Sequence, residues 1–142
     1  MAERLHAHPS SVGNPWSLVL YTDEITPGNV LAPDNKRKIQ AIYVSFMELE
    51  PHMLSREEAW FAIGTIRSKT VKSLHGGMSQ LIGAILKHLF VGIVSLSATS
   101  VCLQHGNRQM VRVFARLHCI IQDGNAHKEL FHCKGSSGTK CC

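Results

Sequence analysis

The stretch from Trp16 to Asn29, WSLVLYTDEITPGN, constrains the fold more than any other part of the chain. It is an apolar run that ends abruptly in acid. Leu18, Val19, Leu20 and Tyr21 have the length and side chains of a buried strand. Asp23 and Glu24 follow at once, before a Pro27-Gly28-Asn29 turn signal. A carboxylate at the exit of a buried strand sits on a rigid element with its charged end toward a cleft, and that geometry suits metal binding. The plainer reading is that Asp23 begins a loop. The other end of the chain repeats the form, because Cys119-Ile120-Ile121-Gln122-Asp123-Gly124 is again apolar run, acid and turn.

Between these two runs the pattern changes several times. Ile39 to Leu49 is rich in β-branched and aromatic side chains and predicts a strand covered on both faces, closed by Pro51. Ser55 and Glu58 have the spacing of a capping box, which predicts a short helical turn. Trp60 to Ile66 predicts a third strand, and Thr70 to Gly77 a polar link ending in a Gly76-Gly77 hinge. Met78, Leu81, Ile82, Ile85 and Leu89 then recur at helical spacing, predicting an amphipathic core helix. Its apolar run continues through Val91, Ile93 and Val94, but Lys87 and His88 interrupt it well short of the roughly 20 residues a membrane span needs. Val101 to Gln104, a turn at His105-Gly106-Asn107 and Met110 to Leu117 read as a hairpin.

The resulting order is strand with acid, strand, strand, helix, hairpin, strand with acid. It predicts an α/β (mixed) fold, in which three antiparallel strands, a crossover helix and a further strand beside the first form a mixed sheet. If the last strand lies parallel to the first, Asp23 and Asp123 emerge at the same end of neighbouring strands. Such a pair is a hard-oxygen site suited to magnesium or manganese and to in-line phosphoryl displacement. Two close carboxylates without a cation repel, so a metal is their natural relief.

A chain of 142 residues fits one domain and can bury roughly 68–70% of its unfolded surface. The formal charge of +5 permits an anionic partner without requiring one. The Lys36-Arg37-Lys38 cluster is the candidate contact to a phosphate backbone, its alternative being a solvated loop flank. Residues 1–15 lack the apolar core of a secretory signal, so an intracellular, reducing setting and a disordered lead-in are expected. Five cysteines then point to metal or to idle thiols rather than to disulfides.

The pieces LVLYTDEITPGN, KRKIQAIYVSF, LSREEAWF, LHGGMSQLIGAILKHLF and QDGNAHKELFHCKGSSGTK resemble a multicopy family of transposon-related reading frames abundant in dinoflagellate genomes. More distantly they are similar to the catalytic region of cut-and-paste DDE transposases of the Plavaka and related superfamilies. The resemblance covers Trp16 to Cys141. It implies an RNase H-like core over residues 16–126, with Asp23 and Asp123 as first and second metal-binding carboxylates, magnesium or manganese as cofactor, DNA as partner and a nuclear location. The sequence departs from the family in two places: no third acid appears before Cys142, and Cys141 and Cys142 are adjacent where the family has a spaced C-x-x-C. An RNase H-like sheet incomplete at its C-terminus, inactive in strand transfer by itself, is therefore expected.

The segment 127–142 carries His127, His132, Cys133 and Cys141, which the resemblance reads as the first half of a zinc knuckle. Zinc needs four nitrogen or sulfur ligands, commonly in close pairs. Here seven residues separate Cys133 from Cys141, so the zinc site is incomplete and the alternative is a free tail. The Gly135 to Lys140 segment lacks the spacing of a phosphate-binding P-loop. No nucleophile context, dinucleotide fingerprint or small-molecule site stands out. The competing reading of the whole is a non-enzymatic α/β module or decayed reading frame, in which both aspartates are ordinary loop carboxylates.

Overall fold

A computed structural model describes residues 8–27, 37–105 and 109–131. The expected turns at Gly28-Asn29 and Gly106-Asn107 lie outside them, as do Lys36, His132, Cys133 and Cys141. The chain runs β1 (Trp16–Ile25), β2 (Ile39–Phe46), a short helix α1 (Pro51–Leu54), a 3-10 turn (Glu57–Ala59), β3 (Phe61–Arg67), α2 (Ser68–Ser73), α3 (Gly77–Phe90), β4 (Val101–His105), β5 (Gln109–Val113), β6 (Ala115–Ile121) and α4 (Gly124–Phe131). The fold is mixed α/β. One sheet has four strands in the order β3-β2-β1-β6, and β4 and β5 form a separate antiparallel hairpin.

Strand directions follow from the bonds at the strand ends. Trp16 N–H donates to the Phe114 carbonyl at 2.8 Å, beginning against beginning. Gln122 Nε2 donates to Thr22 Oγ1 at 2.7 Å, end against end. β6 is therefore parallel to β1. Met47 N–H donates to the Ser17 carbonyl at 2.9 Å and Ser68 N–H to the Lys38 carbonyl at 3.0 Å, each joining the end of one strand to the beginning of its neighbour. β2 is thus antiparallel to both β1 and β3, and the sheet is mixed.

The chain divides into two compact units. The first comprises Met1–Leu20, Val44–Phe61 and Ile85–Cys119. Its core holds Trp16, Leu18, Leu20, Phe46, Leu49 and Val113. Trp16 meets Phe46 edge-on with ring centres 5.3 Å apart, and its indole N–H donates to the His8 carbonyl at 2.9 Å. Residues 8–15 are fastened further by Ser10, whose hydroxyl accepts the Phe114 N–H at 2.9 Å.

Three expectations change here. Ser55 and Glu58 form no capping box: the Ser55 hydroxyl donates back to the His52 carbonyl at 2.9 Å, and no side chain caps the 3-10 turn. The apolar run of α3 does not stay helical. Ser95 Oγ takes up the Phe90 carbonyl at 2.8 Å and Leu96 N–H the Leu89 carbonyl at 2.8 Å, so the last turn's carbonyls are satisfied by a loop that closes back on them. Val91, Ile93 and Val94 consequently stand in solvent, Ile93 at 96% exposure, rather than in the core. The expected strand Met110 to Leu117 is split, because β5 ends at Val113 and β6 begins at Ala115. Arg116 and Leu117 therefore belong to the four-stranded sheet.

The second unit comprises Tyr21–Tyr43, Ala62–Ala84 and Ile120–Cys142. Ala41, Ile42, Val71, Met78, Ile82 and Leu130 form its apolar interior. Met78 and Ile82, one turn apart on α3, are the buried stripe that helical spacing predicts. The Ser79 hydroxyl donates to the Leu130 carbonyl and so ties α3 to α4. Gly77 has φ +50°, a left-handed conformation that glycine adopts without a Cβ penalty, so a turn does precede α3. Part of the expected polar link is helical instead, since α2 spans Ser68–Ser73.

Burial sets the expected response to truncation. Leu20→Ala, at a fully buried site, is expected to cost about 2–5 kcal/mol of unfolding free energy. Ile93→Ala should stay within about 0.5 kcal/mol of wild type. Urea unfolding followed by Trp fluorescence measures both.

Candidate carboxylate site

Successive residues of β1 point to opposite faces of the sheet, so its polar end presents two different chemistries. Thr22 and Glu24 share one face, and Tyr21 and Asp23 share the other.

On the first face Thr22 is buried and its hydroxyl accepts the Gln122 amide. Glu24 stands beside β2, where Lys38 Nζ donates to Glu24 Oε2 at 2.8 Å and Gln40 Nε2 approaches Oε1 at 3.4 Å. The Lys38 bond is the main cause of a lowered Glu24 pKa, outweighing the desolvation that pushes it up. The Ser68 hydroxyl also favours the charged carboxylate, although it makes no hydrogen bond of good geometry. With side chains 34% and 28% exposed, the Lys38–Glu24 pair is a modest contributor to stability. Sequence reasoning assigned Glu24 no role and gave Lys38 to DNA. The available signal was the alternation itself, which puts Glu24 on the Thr22 face and cross-strand from Gln40. Of the basic cluster, Arg37 is exposed, Lys38 is engaged with Glu24, and Lys36 lies outside the described residues.

On the second face Tyr21 stacks on Tyr43, cross-strand on β2, with ring centres 6.0 Å apart and an interplanar angle of 25°. Burial first, then the charge of Asp23 and the bond that the phenol donates to it, raise the Tyr21 pKa above its ordinary 10.0. The charges of Tyr43 and Asp123 add to the same shift. Asp23 and Asp123 thus act on one phenol. The Thr22–Gln122 side-chain bond, between residues 100 apart in the chain, joins the ends of β1 and β6, and Asp23 and Asp123 are the next residue of each segment. Sequence reasoning had both acids and missed the tyrosine they act on, which it had counted only as an apolar strand residue.

Asp123 has a second engagement. Its Oδ1 accepts the Ala126 N–H at 2.7 Å and its carbonyl accepts the His127 N–H at 2.9 Å, the N-cap of α4. Sequence reading assigned no helix here, because Gly124 and Asn125 read as a turn; the cap is what starts a helix from such residues. His127 lies within α4, exposed, with its ring 4.6 Å from that of Phe131. The other expected zinc ligands, His132, Cys133 and Cys141, lie outside the described residues. Cys102 and Cys119 are free thiols.

Among the described residues no group of three or more His, Cys, Asp or Glu side chains is placed to hold a metal ion. No described helix is long and apolar enough to cross a membrane. No protein-family model, curated protein or solved structure matches the chain.

Two titrations follow from this geometry. The chain holds two tyrosines, so Tyr43→Phe leaves Tyr21 as the single phenol to follow by ultraviolet absorbance. In that background Asp23→Asn, and to a smaller extent Asp123→Asn, should bring its pKa back toward 10.0. An Asp123→Asn curve that overlays its parent would mean that the Asp123 charge does not reach the phenol. Glu24 has the opposite sign. Its folded pKa lies below the ordinary 4.5, so its stabilising effect is present above that value and is lost as pH falls through the folded one. Thermal melts of wild type and Glu24→Gln should therefore differ at neutral pH and converge in acid.

Proposed function

We propose that this chain is a divalent-cation-binding core of RNase H-like fold, derived from a DDE-type transposase, with Asp23 and Asp123 as the ligands and magnesium or manganese as the ion. The observation that carries the reading is the parallel course of β1 and β6, whose ends the Thr22–Gln122 bond joins one residue before each carboxylate. Their shared influence on Tyr21 supports it. So does the strand order β3-β2-β1-β6, with three antiparallel strands and a fourth, later strand parallel to the first.

The donor set fits the ion. Two carboxylates are hard-oxygen ligands, and a carboxylate has about four lone-pair sites, so accepting the Ala126 N–H does not by itself bar Asp123 from a metal. A divalent ion held there would polarise a phosphoryl oxygen and lower the pKa of a bound water. Tyr21 lies within interacting reach of Asp23, and the Thr22–Gln122 bond joins the two strand ends. Two acids bind an ion without making the three-acid set of a strand-transfer centre. The proposed activity is therefore metal binding at a DNA-facing site, in the nucleus, with Arg37, exposed just before β2, as the candidate cation for the phosphate backbone.

A second reading rests on the same Asp123. As the N-cap of α4 it has a structural role that needs no metal, and the chain would then be a non-enzymatic α/β module.

Thermal melts with and without manganese separate the two. A bound ion should raise the wild-type melting temperature by about 4 °C or more at saturating concentration. Asp23→Asn and Asp123→Asn should each abolish that rise. Asparagine is as good an N-cap as aspartate, so Asp123→Asn keeps the helix and removes only the charge. If manganese moves none of the three proteins, the capping reading stands and the metal site is refuted.

A further inference from the structure

We propose that β3 is a self-association edge, along which two copies of this chain pair antiparallel about Gly64. The inference is independent of the metal site. β3 is the terminal strand of the four-stranded sheet, so one side of its backbone bonds to β2 and the other faces away from the sheet. The Ser68 N–H bond to Lys38 fixes which residues do which. Counting back in steps of two from Ser68, Ile66, Gly64 and Ala62 bond toward β2, and Arg67, Thr65, Ile63 and Phe61 point their N–H and carbonyl groups outward.

Natural edge strands are blunted by charge, proline, bulges or brevity. β3 has little of this. Phe61 to Ile66 is six residues without charge or proline, and Ala62, Ile63 and Thr65 are exposed, Ile63 at 41%. The other terminal strand, β6, is different: it exposes Arg116 and His118, which would oppose their own kind in a self-paired edge.

The occupant is set by register and charge. In an antiparallel pairing centred on Gly64, outward-facing Ile63 meets Thr65 of the second copy, and Phe61 meets Arg67. All the outward groups of both strands are used. Gly64 opposes Gly64 at a non-hydrogen-bonded pair, where backbones come closest, and the space around it is open. In chain order the strand is preceded by exposed Arg56, Glu57 and Glu58, net acidic, and the exposed cations Arg67, Lys69 and Lys72 lie at and beyond its end. Antiparallel pairing sets the acidic flank of each copy against the basic flank of the other. A parallel pairing would set like against like. A two-fold, self-complementary contact of this kind closes at two copies.

Sedimentation velocity of the full chain over a concentration series tests this. The wild type should move from monomer toward dimer as concentration rises. Thr65→Pro removes an outward N–H and no bond to β2, so it should stay monomeric and keep its melting temperature. Arg67→Glu with Lys69→Glu should weaken association by about tenfold or more, and adding Glu57→Lys and Glu58→Lys should restore it. If Thr65→Pro does not fold, the charge reversal and its rescue decide alone. A wild type that is monomeric throughout overturns the proposal and leaves the edge to a strand of another protein. A dimer that survives Thr65→Pro in folded form, or the charge reversal, overturns it as well.

Discussion

Strand β1 is buried on both faces through Leu20, and a backbone buried in that way must find hydrogen-bond partners on both of its edges. That requirement shapes the sheet. β2 supplies one edge, arriving antiparallel after a single connection, and β6 supplies the other, arriving parallel from much later in the chain. Parallel neighbours need a long connection, and here residues 26–114 separate β1 from β6. The approach of Asp123 to Asp23 is a by-product of satisfying the β1 backbone.

The same strand explains why the polar end is chemically divided. Its apolar residues stop at Leu20, and from Tyr21 onward alternate residues serve alternate faces. One face gathers Glu24, Lys38 and Gln40 around an ion pair, with a part-buried hydrogen bond from the Gln122 amide to Thr22 beside it. The other gathers Tyr21, Tyr43, Asp23 and Asp123. The first cluster is internally compensated, cation against anion. The second holds two carboxylates on one phenol, and its charges are of one sign. That imbalance is why the cation is proposed there and not at Glu24.

Much of the fold was legible in residue patterns because those patterns report burial. β1, β2, β3 and the first three turns of α3 fall where apolar runs and helical spacing put them. The misreadings share one cause. Val91, Ile93 and Val94 read as core because they are apolar, yet Ser95 and Leu96 turn the chain back onto the carbonyls of Leu89 and Phe90 and strand those three residues outside. The split between Val113 and Ala115 is likewise invisible in an alternation that runs straight through it. Local composition does not record where a distant segment will take up a hydrogen bond.

The sequence by itself determined that two apolar strands end in acid, one near each end of the chain, and that hydrophobic content suffices for a mixed α/β core. It did so because strand burial and strand termination are local properties, written in the length of an apolar run and the charge that stops it. Only the tertiary structure decided that the two strands are neighbours, that they run parallel, and that a Thr22–Gln122 bond joins their ends. It alone withdrew Lys38 from the basic cluster by pairing it with Glu24, and made Asp123 the cap of a helix. These are choices of partner and register, made between residues up to 100 positions apart, and no local pattern carries them.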